Sequence, residues 1–192
     1  MSVFVAEELS EVLNTKVVIG RINIGLLNRI IIDDVLLDDQ SGQEMLKVTR
    51  LSAKFDIMPF FKGKISISSV QLFGFNINLR KETPDSPPNF KFVLDAFASK
   101  DTVKKENSLD LRINSILIRR GRMSYHVLSE EETPGKFNAK HIQLQNIIAN
   151  ISLKALSKDS LNLGIKRLSL DEKASGFSLK KMSLKLVANN KQ

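Results

Sequence analysis

A repeated break in hydrophobic alternation constrains the fold of this chain more than any other sequence feature. In "ISISSVQL" (residues 65–72), apolar and polar residues alternate until two consecutive polar residues separate the apolar pairs. The pattern apolar-x-apolar-x-x-apolar-x-apolar occurs eight times, at Val17–Ile24, Ile30–Leu37, Leu46–Ala53, Ile65–Leu72, Leu111–Ile118, Ile142–Ala149, Leu163–Leu170 and Phe177–Leu184. Because strand side chains alternate between two faces, a regular strand would turn half of these apolar residues away from a common core.

A β-bulge at each polar pair resolves this conflict. A bulge sets two residues of one strand against one residue of its neighbour, restores the phase and bends the strand. The alternative is that some copies are two short strands that meet at a corner. The bulge interpretation predicts that both apolar pairs of each copy share one face, and that the strands form a curled sheet with one continuous apolar face.

The remaining segments predict two short helices. Residues 2–14 have an apolar stripe, with Ser2 as a candidate cap and Asn14 as a stop. After the proline-rich "ETPDSPP", residues 89–98 follow helical spacing, with Asn89 as a candidate N-cap. Strand patterns occupy residues 16–80 and 109–188. We therefore expect one mainly β domain over residues 1–192, a curled antiparallel sheet forming a groove, with both helices packed on its apolar face.

Composition argues against several functions. The chain has no cysteine, which excludes disulfides and a thiol nucleophile. The net charge is +8, and residues 100–192 carry 18 basic and 9 acidic side chains. Most of these basic residues occupy the polar positions of alternating strands, which favours a solvated outer face. Nucleic acid is not expected as a partner, because Trp is absent and Tyr125 is the only tyrosine available for stacking.

No catalytic constellation is visible, so we expect a protein that is not an enzyme and has no cofactor or metal. His126 and His141 are interpreted as surface or partly buried strand residues without a neighbouring ligand at metal spacing. The acidic residues at 33, 34, 38 and 39 could hold calcium, but a solvated turn is favoured. The "RRGR" run at 119–122 could contact phosphate or lipid headgroups, but a charged hairpin is favoured.

Residues 17–79 resemble the N-terminal part of TamB and AsmA-like proteins. Two motifs carry the resemblance: "VLLD" at Val35–Asp38 followed by Gly42, and Ile65, Ile67, Val70 and Leu72 followed by Gly74. "NFKFVLDAF" after the prolines is similar to the version found in the Bacteroides group. Good agreement extends over about residues 2–130, and the later strands agree in pattern only.

The resemblance implies a periplasmic protein of a Gram-negative bacterium, anchored in the inner membrane by one N-terminal helix. The chain would then be an N-terminal piece of a longer translocation and assembly module. Such proteins are similar to bridge-like lipid-transfer proteins, and they support outer-membrane biogenesis together with a barrel-assembly partner. Contact with that partner is expected through regions absent from this chain.

The expected function is therefore to shield or conduct phospholipid acyl chains along a β-groove between the two membranes. The residues expected to contact lipid are Ile65, Ile67, Val70, Leu72, Ile113, Ile116 and Ile118. The alternative is a closed sandwich or barrel with a dry core that acts as a protein-binding or scaffold module for outer-membrane protein assembly.

Overall fold

A single open, curled β-sheet with two short helices makes up the fold. A computed structural model describes residues 2–26, 28–55, 65–98, 109–110, 114–156 and 160–189. Helix α1 (Ser2–Leu13) is followed by strands β1 (Val17–Gly25), β2 (Arg29–Asp38), β3 (Glu44–Phe55) and β4 (Ile65–Lys81), and then by helix α2 (Lys91–Ala98). The remaining strands are β5 (Leu109–Asp110), β6 (Ser115–Val127), β7 (His141–Leu156), β8 (Ser160–Glu172) and β9 (Ser178–Asn189). The mainly β class and the curled sheet were predicted correctly.

The order of the strands follows the chain, with one exception to antiparallel pairing. The sheet runs β1-β2-β3-β4-β6-β7-β8-β9, and β5 pairs with the start of β4. Strands β4 and β6 are parallel, whereas the sequence predicted an antiparallel sheet throughout. A parallel neighbour requires a crossover, which the segment between Lys81 and Ser115, including α2, supplies. The alternation of apolar and polar residues in β4 and β6 is the same whether the two strands run parallel or antiparallel. The sequence pattern therefore could not predict the parallel pairing.

The apolar residues of the repeated pattern share one face, which we call the apolar face. Directly paired residues lie on the same side of a sheet, and the register pairs them with one another in every strand pair of the main path. Ile19 lies opposite Val35, Val35 opposite Val48, and Val48 opposite Phe75. The prediction of one continuous apolar face is therefore confirmed for the described side chains.

The phase changes are produced by irregularities that line up across neighbouring strands. Asp34, Gly74, Arg120 and Asn146 have the left-handed backbone conformation, with φ of 57°, 64°, 55° and 55°. Asp34 and Thr49 lie unpaired between the same two register pairs of β2 and β3, and Thr49 and Gly74 do so between β3 and β4. Gly74 and Arg120 both lie in the unpaired stretch between β4 and β6. We call this row the bulge line. It continues through register shifts at Asn146–Ile147 and at Lys180–Lys181.

The pattern predicted some of these positions and missed others. Asp34, Asn146 and the Lys180–Lys181 pair lie at predicted breaks, and a register shift at Ser68 accounts for the break in "ISISSVQL". The predicted break at residues 114–115 lies at the start of β6, beside residues that are not described. β4 and β6 have further breaks at Gly74 and Arg120, although "VQLFGFNI" (residues 70–77) fits the same pattern.

The two helices cover one end of the apolar face. Val5, Ala6 and Leu13 of α1 pack with Val17, Ile19 and Leu37. Phe92 and Val93 of α2 join the same cluster, as does Phe90 just before the helix. This agrees with the prediction that the apolar faces of both helices pack on the sheet. Asn14 ends α1 with a left-handed φ of 48°, and the Thr15 amide donates to the Ser10 carbonyl at 3.1 Å.

A second cluster is buried, and neither α1 nor α2 packs on it. Val48, Phe75 and Ile147 are 3%, 7% and 8% exposed, and the side chains packed on them come from the neighbouring strands. Side chains on a flat, uncovered sheet would be more exposed. The curl therefore brings the side chains of neighbouring strands together, and the apolar face is the inner face of the sheet.

The close contact between Phe75 and Gly121 generates a stability prediction. A Cβ at Gly121 would lie 2.4 Å from two ring atoms of Phe75 and 3.0 Å from Cβ of Ile147. Ala is normally no worse than Gly in a strand, because Gly costs more entropy on folding. Here overpacking should reverse the sign, so we expect Gly121→Ala to lower the free energy of unfolding by about 1–3 kcal/mol, measured with urea.

Phe75→Leu serves as the matched partner in a double-mutant cycle. It shortens the side chain that opposes the new methyl group, so the double variant should lose less stability than the sum of the two single variants. Strict additivity would show that Phe75 does not restrict residue 121.

Candidate functional site

Four of the predicted binding residues lie together in the middle of the apolar face. Val70 and Leu72 on β4 are the register partners of Ile116 and Ile118 on β6. All four side chains are half-buried. The structure therefore places these four side chains next to one another on the apolar face.

Three further predicted residues are placed less completely. Ile67 is half-buried in β4, beyond the register shift at Ser68. The backbone of Ile65 belongs to β4, but its side chain lies outside what the structure describes. Ile113 lies outside the described residues.

These residues belong to rows that cross the whole sheet. Each row consists of register partners on successive strands, all of them apolar. One row is Ile24, Ile30, Ala53, Val70, Ile116, Ile151, Ile165 and Leu184. The next is Ile22, Ile32, Leu51, Leu72, Ile118, Ala149, Leu168 and Met182. The sequence pattern predicted the members of each strand but not the order of the rows.

Exposure varies along the apolar face. The parts beneath the helices and around Phe75 are buried, whereas Ile24 at one edge is 80% exposed and Leu184 and Leu186 at the other are 48% and 43% exposed. Strands β1 and β9 do not pair with each other, so the sheet is open. The closed sandwich or barrel considered as the alternative is not what the described residues form.

One buried carboxylate lies at the end of the apolar face, at the β8–β9 turn. Glu172 is the register partner of Leu144 and is 3% exposed. Its oxygens accept hydrogen bonds from the backbone amides of Gln143 and Ala174, both at 3.2 Å, and of Ser175 at 2.7 Å. Burial raises the pKa of Glu172, but these bonds and the Ser175 hydroxyl outweigh burial and lower the pKa to about 2. The carboxylate is therefore engaged in closing the turn.

The opposite face carries charged groups along the bulge line. Arg50 donates to both carboxylate oxygens of Asp33, at 2.6 and 3.2 Å, and Asp33 is 5% exposed. The hydrogen bond from Arg50 holds the pKa of Asp33 below its ordinary value. An open cavity of about 680 Å³ lies over this pair, and Arg21, Phe73 and Arg119 also line it.

Two predictions about charged runs were wrong. Asp33 and Asp34 were predicted to form a solvated turn, but both lie within β2, and Asp33 is buried against Arg50. The "RRGR" run was predicted to be a charged hairpin, but it lies within β6 at the bulge line, with the Arg120 guanidinium 5.1 Å from the Phe73 ring centre. The partners of both runs are distant in sequence, so local composition could not identify them.

Asp39 and Asn89 also differ from their predicted roles. Asp39 is 2% exposed and accepts hydrogen bonds from Ser41, Gln43 and Asn89. Arg80 forms an ion pair with it at 2.7 Å. Burial raises the pKa of Asp39, but its hydrogen bonds outweigh burial and hold the pKa below its ordinary value. Asn89 is not a helix cap, because its side chain joins Asp39 to the backbone of β4 before α2 begins at Lys91.

The two histidines were predicted to be surface or partly buried strand residues, and both lie in strands. The sequence did not predict that they are neighbours. They are register partners on β6 and β7, and their side-chain nitrogens lie close to the Glu132 carboxylate. Their positions on either side of a polar loop ("SEEETPGK") were the available sequence signal, because a hairpin pairs such residues.

Comparison with known proteins does not assign a family. No protein-family model matches the chain, and no curated protein matches it at a significant level. The resemblance to TamB and AsmA-like proteins therefore stays a prediction. Among the described residues, no helix is both long enough and apolar enough to cross a membrane.

The hydrogen bonds of Glu172 generate a prediction about acid stability. Because the folded-state pKa of about 2 lies below the ordinary value of 4.5, the charge stabilises the fold above about pH 4.5, and this contribution is lost as the pH falls toward 2. We expect Glu172→Gln to lower the free energy of unfolding at pH 7 by about 1–3 kcal/mol. The variant should also lose less further stability than the parent between about pH 4.5 and 3.

Urea denaturation at several pH values measures both effects. Glu131→Gln is the control, because this carboxylate is exposed on the β6–β7 loop and its removal should leave the parental pH dependence. If Glu172→Gln keeps the full parental slope, the buried carboxylate does not contribute to acid sensitivity.

Proposed function

We propose that the apolar face binds phospholipid acyl chains and that this chain is a non-enzymatic lipid-carrying module. The observation that supports this most directly is the set of aliphatic rows across an open sheet. In the part of the chain that the structure describes, the helices cover only one end of these rows, and the rows reach exposed positions such as Ile24 and Leu184. Monomeric proteins rarely leave large contiguous apolar surfaces without a binding role.

The chemistry of the rows favours acyl chains over a protein segment. Protein–protein interfaces combine an apolar core with a polar rim and several direct hydrogen bonds. The two rows through Val70 and Leu72 contain only apolar side chains along the main path of the sheet, aliphatic apart from Met182. Glu172, at the end of the face, already accepts several hydrogen bonds. Acyl chains need only apolar surface, at roughly 0.8 kcal/mol per buried methylene.

The cellular role follows from the sequence resemblance. We propose that the module belongs to a periplasmic protein anchored in the inner membrane of a Gram-negative bacterium. There it would shield or conduct phospholipid chains toward the outer membrane and so support outer-membrane biogenesis. Contact with a barrel-assembly partner would use regions outside this chain.

A protein-binding role is the second candidate, supported by the sheet edges. In the described residues, β1 and β9 pair on one side only. Edge strands can accept a further strand from a partner. If this is the role of the chain, we expect the apolar face to bind no lipid.

A charge in the middle of the apolar face tests the lipid proposal. Ile116→Asp places a carboxylate between Val70 and Ile151. We expect it to lower binding of phospholipid or a lipophilic dye at least about tenfold, while lowering the free energy of unfolding by about 1–3 kcal/mol. Native mass spectrometry of co-purified lipid and dye titration measure the binding.

Adjacent residues on the same strands provide matched controls. Ser115→Asp is next to Ile116 but faces the other side, and it should leave binding unchanged. If Ile116→Asp does not fold, the pair Leu184→Asp and Lys185→Asp replaces it, because Leu184 is half-exposed on the apolar face and Lys185 faces away. Two results would exclude the proposal and favour partner binding at the sheet edges. Either the parent protein binds no lipid, or folded Ile116→Asp and Leu184→Asp variants both bind lipid as well as the parent does.

A further inference from the structure

His126 and His141 form a close pair on the face of the sheet opposite the apolar face, at the far end of β6 from the rows through Val70 and Leu72. They are directly opposed across β6 and β7, at the end of the hairpin. The two Nδ1 atoms are 3.0 Å apart, and the ring centres are 5.3 Å apart with the planes tilted by 52°. They are the only two histidines in the sequence, so every imidazole of the chain is at this place.

The orientation of His141 is fixed by a backbone acceptor. Its Nε2 lies 2.9 Å from the carbonyl oxygen of Glu130. A carbonyl oxygen only accepts, so Nε2 carries the proton and Nδ1 presents a lone pair toward His126. His141 is 8% exposed, which limits other ring positions. Metal-binding histidines are typically oriented in this way, with the second ring nitrogen donating to a carbonyl or carboxylate.

The β6–β7 loop adds a carboxylate to the pair. Oε1 of Glu132 lies 3.9 Å from Nδ1 of His126, and one ligand atom from each of the three residues lies within 4.8 Å of the others. Two hydrogen bonds hold the loop in place. The Asn138 side-chain amide donates to the backbone carbonyl of Glu131 at 3.1 Å, and the Lys140 backbone amide donates to the side-chain oxygen of Asn138 at 3.0 Å. The carboxylate of Glu132 is therefore presented to both imidazoles.

Two nearby cations are paired with other acids. Lys140 lies 2.6 Å from the Glu130 carboxylate. Arg80, the register neighbour of His126 on β4, forms its ion pair with Asp39. These ion pairs reduce the repulsion that a bound cation would meet.

We propose that His126, His141 and Glu132 bind a divalent transition-metal ion, with Zn²⁺ as the best fit. Zn²⁺ takes imidazole nitrogen and carboxylate oxygen at about 2.0–2.2 Å, which places neighbouring ligand atoms of a tetrahedral site about 3.3 Å apart. The separations of 3.0 and 3.9 Å fall on either side of this value. Water completes the coordination. Without metal, His126 donates its Nδ1 proton to His141, and on binding that proton moves to Nε2 of His126.

Bound metal would fasten the β6–β7 loop to the sheet. Tag-free protein stripped with a chelator and titrated with ZnCl₂ in a calorimeter should bind one ion per chain with micromolar or tighter affinity. Co²⁺ should give the visible absorption bands of a tetrahedral nitrogen and oxygen site. Zn²⁺ should also raise the melting temperature, because it binds the folded state.

Three variants make the test specific. Glu132→Gln should weaken Zn²⁺ binding about tenfold or more, and His126→Gln about a hundredfold or more. Glu131→Gln changes an exposed neighbouring carboxylate and should leave binding unchanged. Glu132 is itself 64% exposed at its side chain, so its variant should fold normally.

Three results would overturn the assignment. The first is no saturable Zn²⁺ binding by the parent protein. The second is equal weakening by Glu131→Gln and Glu132→Gln. The third is binding of several ions per chain that His126→Gln does not alter, which would indicate adventitious binding to surface carboxylates.

Discussion

The bulge line is the constraint on which the rest of the sheet depends. Without a bulge, a strand carrying this broken pattern could place only half of its apolar residues on one face. Here neighbouring strands change phase in the same row, so the strands stay paired on both sides of the break. Asp33 pairs with Arg50 and Val35 with Val48, with one unpaired position, Asp34 and Thr49, between them. The aligned breaks preserve the register and keep the apolar face continuous.

The energetic balance at the bulge line favours the left-handed residues despite their cost. A non-glycine residue in this conformation costs on the order of 1 kcal/mol or more. Asp34, Arg120 and Asn146 all adopt it, and Gly74 adopts it without a side-chain clash of its own. Each break keeps at least two large apolar side chains on the inner face, where each contributes about 1.5–3 kcal/mol when fully buried. Burial therefore outweighs local strain, even with partial exposure.

Local patterning predicted what depends on neighbouring residues in the sequence. It identified the faces of the strands, the two helices and breaks such as Asn146, because each follows from side-chain period and turn chemistry. The parallel pairing of β4 and β6 depends on the path of a long crossover, which leaves no mark in either strand. Asp33 and Asp39 look solvated in sequence, but Arg50 and Arg80 satisfy them from other strands. The histidine pair depends on hairpin register, which the alternation of apolar residues does not fix by itself.

The direction of the rows bears on how the proposed lipid groove could work. The rows run across the strands, so the continuous aliphatic path is perpendicular to them. Neighbouring strands are about 4.8 Å apart, and eight strands in sequence give a path of roughly 34 Å, longer than an extended acyl chain needs. A chain moving along a row exchanges one aliphatic neighbour for another, from Val70 to Ile116 to Ile151, so the free energy changes little from strand to strand. Under the proposed function, the bulge line therefore does more than stabilise the fold. The bulge line keeps the rows unbroken from β1 to β9. A strand that lacked this phase change would turn polar side chains onto the apolar face, and these would interrupt the path.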